Sequence, residues 1–331
     1  MRRISIGLLA SAGFLMLLVT PQADAGVITF GSGTNKFEMT FVEIGSPGNA
    51  DDSTGIPNPA GMVDYTYQMG KYEVSRDMVT KANAAGQLGI TLADMTAFGG
   101  NGADKPATGV SWNEAARFVN WLNTSQGFQA AYNFTTSGVN DNIDVWSSGE
   151  AWQLGGENLY RHKDAHYWLP SMDEWYKAAY YNPNTGLYGD YPSLDGNEPA
   201  AVSSGTADNT AVFNQAFVQG PADITQAGGL SPFGIMGLGG NVYEWEETSS
   251  TLNNSAGSSG RGVRGGNWGD NSDSLSSSFR LGELPANGSL ILGFRVASLS
   301  SPATVPEPGS LVVWSAICVG GLCYRRRRAR K

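Results

Sequence analysis

The sequence predicts an α+β domain that is rich in loops, with short strands and two or three capped helices. Nine Trp, 13 Tyr and 13 Phe supply large apolar area in a chain of 331 residues that also contains 44 Gly. Aromatic anchors separated by many turn residues favour this class over a helical bundle. Residues 181–230 show no hydrophobic period, so we expect a ligand, a metal or packing onto the domain to order this irregular stretch.

Three serines are predicted to open helices. Two of them are followed three positions later by Glu and then by apolar residues at helical spacing, which is the capping-box pattern. The third serine precedes a shorter helical segment that is expected to end near residue 85. The predicted N-caps are Ser75, Ser111 and Ser171.

Strands are predicted where apolar and polar residues alternate or where a short apolar segment stands between turn residues. The segments 36–44 and 67–74 meet this description. Arg280 and Arg295 are also expected to lie on strands. There they are predicted to pair with buried carboxylates, because a buried charge needs a partner.

The two ends of the chain predict export and a membrane-directed tail. Residues 1–25 have a charged start, an apolar run and an Ala-Asp-Ala site, as in a cleaved signal peptide, and an uncleaved anchor is the alternative. Residues 301–331 carry Pro306, Glu307 and Pro308, then an apolar run, then a basic end. An apolar run with a positive flank predicts a short membrane segment whose basic end stays in the cytoplasm.

This tail resembles the PEP-CTERM sorting signal of Gram-negative bacteria, which an exosortase reads. The resemblance implies an exosortase partner, contact with the membrane before processing, and a final place in the cell envelope, on the outer surface or in an extracellular matrix. A plain single-pass tail anchor is the alternative.

The domain between the two ends, predicted to span residues 26–300, is strongly acidic. It holds 13 Lys and Arg against 28 Asp and Glu. This balance argues against nucleic acid and anionic membrane surfaces as partners, since both need clustered basic side chains. It suits divalent cations, although surface acidity that maintains solubility explains it equally well. Cys318 and Cys323 both lie in the tail, so the domain has no disulfide and no thiol chemistry.

Six segments of the domain form an ordered pattern. They are YQMGKYEVS, ATGVSWNEAARFVNWLN, YWLPSMDEWYKAAYY, SPFGIMGLGGNVYEWEE, RGVRGGNWGDNSDSLSSSFR and LGFRVAS. Together they resemble the formylglycine-generating enzyme (sulfatase-modifying factor) family, and the match covers about residues 37–297. Their order makes the resemblance specific, because any one of them alone is a weak signal. The resemblance implies that family's α+β fold, which is related to C-type lectins.

The resemblance places the family's copper-binding cysteines at Asp270 and Leu275. Copper(I) prefers soft thiolates, whereas Asp is a hard ligand and Leu is no ligand at all. The sequence therefore argues against copper and against formylglycine generation. The same turn borders the active groove in that family, so Asn267, Trp268 and Asp270 are candidate residues for binding a glycan or peptide. A Trp in the core explains Trp268 equally well.

A related branch of that superfamily, the sulfoxide synthases of ergothioneine biosynthesis, holds nonheme iron with three histidines. This chain has only His162 and His166, four positions apart in a segment with little helical signal. Two surface histidines are the favoured interpretation, which argues against iron.

The family also implies a structural calcium site at the turn 240–244. Its ligands would be the backbone carbonyls of Gly240 and Val242 and the carboxylate of Glu244. One further ligand position falls on Gly237 and is lost. A hydrogen-bond acceptor that ties the turn together is an equal alternative for Glu244.

Two function classes follow. The first is an exported, exosortase-sorted surface or matrix protein whose domain lacks the copper cysteines and binds a glycan or peptide. The second is a metal-dependent oxidase of the nonheme-iron type with altered ligands. The missing cysteines, the missing third histidine and the sorting tail favour the first class.

Overall fold

The computed structural model describes residues 26–300, apart from residues 137 and 139. The predicted signal peptide (1–25) and sorting segment (301–331, with Pro306, Glu307 and Pro308) lie outside these residues. Among the described residues, no helix is long and apolar enough to cross a membrane. The predictions for the two ends stay predictions.

Three α-helices form in the described part of the chain, and each begins after one of the predicted serines. The Ser111 hydroxyl accepts the backbone N–H of Glu114 at 3.2 Å, and Glu114 accepts the N–H of Ser111 at 2.9 Å. Ser171 and Glu174 repeat this exchange at 3.2 and 2.6 Å. These bonds satisfy N–H groups that the first turn leaves unpaired, and they confirm the predicted capping boxes. The helices are α1 (Arg76–Gly86), α2 (Trp112–Ser125) and α3 (Met172–Tyr180).

The described strands are short. The two predicted strands form as β2 and β3, whereas the first strand was not predicted. The strands are β1 (Gly26–Phe30), β2 (Phe37–Ile44), β3 (Tyr67–Gly70), β4 (Ala151–Trp152), β5 (Asn158–His162), β6 (Tyr167–Trp168), β7 (Tyr181–Asn182), β8 (Leu187–Tyr188), β9 (Ala200–Ala201), β10 (Thr210–Ala211), β11 (Tyr243–Ser249), β12 (Arg261–Arg264), β13 (Leu281–Glu283), β14 (Leu292–Gly293) and β15 (Ala297–Leu299).

Two sheets organise the domain. The larger has the order β1-β2-β3-β15-β6 with antiparallel neighbours, so strands from both ends of the described chain share it. The smaller has the order β13-β12-β11-β14, in which only β11 and β14 run parallel. The long stretch 181–230 contains only two-residue strands and a 3₁₀-helix, Phe217–Gln219. The predicted loop-rich α+β class is confirmed.

Buried tryptophans connect α2 to the smaller sheet. Trp112 donates its indole N–H to the carbonyl of Glu246, and Trp245 donates to the carbonyl of Val110, both at 2.9 Å. Both rings are fully buried. Because each indole N–H has a partner, this apolar area is buried without an unsatisfied donor.

Strand β11 carries three fully buried glutamates, and each forms an ion pair with an arginine from elsewhere in the chain. Glu244 pairs with Arg295, Glu246 with Arg264 and Arg280, and Glu247 with Arg161. The predicted pairing of Arg280 and Arg295 with buried carboxylates is therefore confirmed. Their predicted placement on strands is wrong, because Arg280 precedes β13 and Arg295 lies between β14 and β15.

Candidate functional site

The turn after β12 brings together the candidate groove residues. The side-chain oxygen of Asn267 accepts the N–H of Gly269 at 2.8 Å, and the carboxylate of Asp270 accepts the N–H of Asn267 at 3.1 Å. Asn267 is buried and Asp270 is half-buried. Both side chains therefore hold the turn closed, which is the local role that Asn and Asp commonly have.

Trp268 points into the core beneath this turn. It is fully buried, its ring stacks on Phe217 with centroids 5.0 Å apart, and its indole N–H donates to the carbonyl of Phe217 at 2.9 Å. Trp268 therefore lies in the core, as the alternative interpretation predicted. Phe217 lies over Trp268 and is 44% exposed, so the aromatic ring that solvent reaches at this surface is that of Phe217.

Leu275 is the second position at which the resemblance places a copper-binding cysteine. It ends a 3₁₀-helix, Ser272–Leu275, and is fully buried in a cluster with Ala211, Phe213 and the half-buried Tyr191. Gly266 has a φ of +75°, and a Cβ there would lie 2.8 Å from a methyl carbon of Leu275. Glycine is therefore required at this position both for its backbone conformation and for the space that Leu275 takes.

Glu244, the predicted side-chain ligand for calcium, is engaged by other groups. Arg295 donates to both carboxylate oxygens, with its Nε 2.5 Å from Oε2, and Trp175 donates to Oε2 at 2.7 Å. The guanidinium supplies the positive charge that a cation would bring. With Gly237 offering no side chain, the residues at Gly240, Val242 and Glu244 do not fit a calcium site. The alternative role as a hydrogen-bond acceptor fits the geometry.

Glu73 is a buried acidic residue beside this turn that the sequence did not single out. One carboxylate oxygen, Oε2, accepts the amide N–H of Asn241 at 2.6 Å, whereas Oε1 has no hydrogen-bond partner among the described residues. Burial raises the pKa of Glu73 well above its ordinary value of 4.5, and the nearby carboxylate of Glu244 raises it further, against the opposing charge of Arg295. The folded chain therefore favours the protonated form of Glu73.

We predict that Glu73→Gln raises the free energy of unfolding at pH 7. Since the pKa of Glu73 is raised in the folded state, its contribution to stability is full below about 4.5 and is lost as pH rises toward the folded pKa. Glutamine keeps the oxygen that Asn241 needs and carries no charge. The difference between variant and wild type should be small at pH 4 and grow toward neutral pH in urea unfolding curves. A difference that shrinks with rising pH would contradict this assignment.

The two histidines do not share a helix face. His162 ends β5, accepts the N–H of Asp164 at 3.0 Å and packs edge-on against Trp146. His166 stacks on Phe128 with centroids 4.4 Å apart, and burial lowers its pKa. The expectation of a surface histidine is wrong for His162, which is 8% exposed, whereas His166 is half-buried. In the part of the chain that the structure describes, no three His, Cys, Asp or Glu side chains are grouped so that they could hold a metal.

Residues 29–299 match the family model described as the sulfatase-modifying factor enzyme 1-like domain. The chain belongs to this family. The resemblance found in the six ordered segments is thereby confirmed. No curated protein sequence matches the chain.

Solved structures of other sulfatase-modifying-factor-like folds superpose on most of the chain. Treponema denticola variable protein 1 is 19% identical, with a TM-score of 0.58 over 83% of this chain and 99% of that one. CarF is 18% identical, with a TM-score of 0.55 over 80% and 99%. PvdO from Pseudomonas aeruginosa is 18% identical, with a TM-score of 0.51 over 84% and 99%. At this identity the likeness shows the fold alone.

Proposed function

We propose that this chain is an exported, exosortase-sorted surface or matrix protein whose sulfatase-modifying-factor domain binds a ligand without formylglycine chemistry. The ligand class that its candidate surface suits best is a glycan, with a peptide as the alternative. The surface consists of the 3₁₀-helix Phe217–Gln219 and the turn 267–271.

The observation that carries the proposal is the exposed ring of Phe217. It is 44% exposed, and it rests on the buried ring of Trp268, which fixes its orientation. Phe98 packs against its edge with centroids 5.3 Å apart. The ring lies against Gly269, and Asp270 and Asn271 follow that residue in the turn. A rigid aromatic face next to a polar turn combines an apolar surface with polar groups, which is what the two sides of a sugar ring require.

The positions of the family's copper cysteines support a binding role over catalysis. Leu275 contributes only hydrocarbon to a closed apolar cluster, and Asp270 uses its carboxylate within the turn. Cysteine is absent from the whole segment between the two ends. Neither side chain can supply the soft donors that copper(I) needs.

Affinity electrophoresis in gels that contain a soluble neutral polysaccharide tests this proposal. Wild-type protein should be retarded by at least one of xylan, laminarin and dextran, and Phe217→Ala should weaken that retention about tenfold. Leu187→Ala removes an even more exposed apolar side chain elsewhere and should leave the retention unchanged. Equal retention of wild type and Phe217→Ala would place the ligand on another surface. Migration unaffected by all three polysaccharides would contradict the glycan proposal.

A further inference from the structure

A second site lies away from the turn 267–275, in a cavity of 590 Å³ between the larger sheet and α1. Its walls come from β2, from the segment between β3 and α1, and from the start of α1. Asp104 and residues 224–225 complete the wall, and none of the lining residues belongs to the Phe217 surface. The cavity is therefore independent of the proposed glycan surface.

Glu73 forms part of this wall, and one oxygen of its buried carboxylate is unsatisfied within the described part of the chain. It is 1% exposed, and its Oε1 has no hydrogen-bond partner among the described residues. Arg295, the nearby cation, directs its N–H groups to Glu244 and to the carbonyl oxygens of Gly70 and Met236. A buried acceptor without a donor is uncommon in folded proteins. A ligand that donates a hydrogen bond to Oε1 would satisfy this acceptor.

The charges around the cavity leave two carboxylates without an ion pair. Lys36 lies 4.0 Å from Glu38, and Lys81 lies 2.7 Å from Asp77, so both lysines that line the cavity face an acid. Glu73 and the exposed Asp104 have no ion-pair partner among the described residues. Burial favours the protonated form of Glu73 in the empty cavity, but a cation bound beside it would favour the ionised carboxylate, as it would for Asp104. A cationic ligand therefore suits these two groups better than an anionic one.

The wall also contains four large apolar side chains among its polar ones, and these narrow the kind of cation that fits. Phe37, Met39 and Ile224 are buried around the cavity, and Met78 is half-buried there. A volume of 590 Å³ is far larger than a bare metal ion needs, and the described side chains provide no group of three metal ligands. Hydrocarbon walls with one buried carboxylate suit a ligand that has a methylene chain and a charged end.

We propose that this cavity binds an alkylammonium group, with the ammonium at Glu73 and Asp104 and the methylene chain along Met39, Met78 and Ile224. An ammonium has three N–H donors and no acceptor, so one N–H can satisfy Oε1 of Glu73 while the others remain for a second acceptor in the same cavity. The same group occurs in a free aliphatic diamine and in the lysine side chain of a peptide. This site goes beyond the proposed function, because it uses different residues and a different ligand chemistry.

Isothermal titration of the purified chain tests the proposal with four probes: cadaverine, Nα-acetyl-lysine amide, Nα-acetyl-norleucine amide and calcium chloride. We expect at least one of the two amines to bind, and the norleucine derivative, which keeps the chain but lacks the charge, not to bind. Binding of cadaverine alone identifies a free diamine as the ligand source, whereas binding of the lysine derivative identifies a peptide side chain. Both results support the alkylammonium site.

Glu73→Gln is the decisive variant, and it should weaken amine binding about tenfold or more, because a bound ammonium favours the ionised form of Glu73 and glutamine cannot supply that charge. Since this variant is expected to be more stable than wild type at pH 7, lost binding cannot be ascribed to unfolding. Glu38→Gln removes an exposed carboxylate that already faces Lys36 and should change amine affinity less than Glu73→Gln. Phe217→Ala should leave amine binding intact, which separates this site from the glycan surface.

Three results would overturn the alkylammonium site. The first is the failure of both amines to bind wild-type protein, and the second is amine affinity unchanged in Glu73→Gln. The third is calcium binding that depends on Glu73 and prevents amine binding, because the cavity would then be a metal site.

Discussion

Replacing Arg161 with methionine is expected to lower the free energy of unfolding by about 3–5 kcal/mol, because two carboxylates stay buried without their cation. Arg161 is 1% exposed and lies 3.0 Å from Glu174 and 2.7 Å from Glu247. Its guanidinium also stacks over the rings of Trp152 and Trp168, at 4.8 and 4.3 Å from their centroids. Urea unfolding followed by tryptophan fluorescence measures the loss.

The effect of the unpaired carboxylates on stability can be separated from the effect of lost packing around Arg161. A triple variant, Arg161→Met with Glu174→Gln and Glu247→Gln, removes the unpaired charges and should recover part of the lost stability. Glutamine at position 174 keeps the acceptor that the capping box of α3 needs. A triple variant as unstable as Arg161→Met alone would mean that packing, and not charge, causes the loss.

A surface ion pair gives the matched control for Arg161. Lys81 and Asp77 lie 2.7 Å apart at helical spacing on α1, and both side chains are partly exposed. Lys81→Met should change the unfolding free energy by only about 0.3–0.5 kcal/mol, because water and salt screen such pairs. The contrast tests whether burial decides the strength of these ion pairs.

Features that depend on neighbours in the sequence could be predicted. The caps at Ser111 and Ser171 join residues three apart, so the pattern of Ser and Glu is enough to place the start of each helix. The strand over residues 37–44 follows from its alternation. The family resemblance then supplied the overall architecture, which composition and period alone could not choose.

Features that depend on distant contacts could not be predicted. Glu73 and Asn241 are 168 positions apart, and nothing local indicates that one oxygen of Glu73 is left without a donor. Phe217 lies in a stretch without hydrophobic period, so its contact with Trp268 had no signal in the sequence. The sequence left open whether Trp268 is exposed or lies in the core, and the structure has it fully buried beneath the exposed ring of Phe217.

Leu275→Ala is expected to lower the free energy of unfolding by about 2–5 kcal/mol, because the side chain is fully buried and its removal leaves a cavity. The neighbours Ala211 and Phe213 come from the irregular stretch 181–230, so this packing helps to hold that stretch on the domain. Leu187→Ala, at a position 69% exposed, is the matched control and should change the unfolding free energy by less than about 0.5 kcal/mol.

A cysteine at the same position tests whether this cluster is closed to solvent. Leu275→Cys, in a chain whose tail residues Cys318 and Cys323 are replaced by serine, introduces one thiol into a closed apolar cluster. Because a buried thiol resists deprotonation and reagents cannot reach it, it should react with a maleimide only after unfolding. Rapid reaction in the folded protein would mean that this position opens to solvent, and the interpretation of a site closed by hydrocarbon would then be wrong.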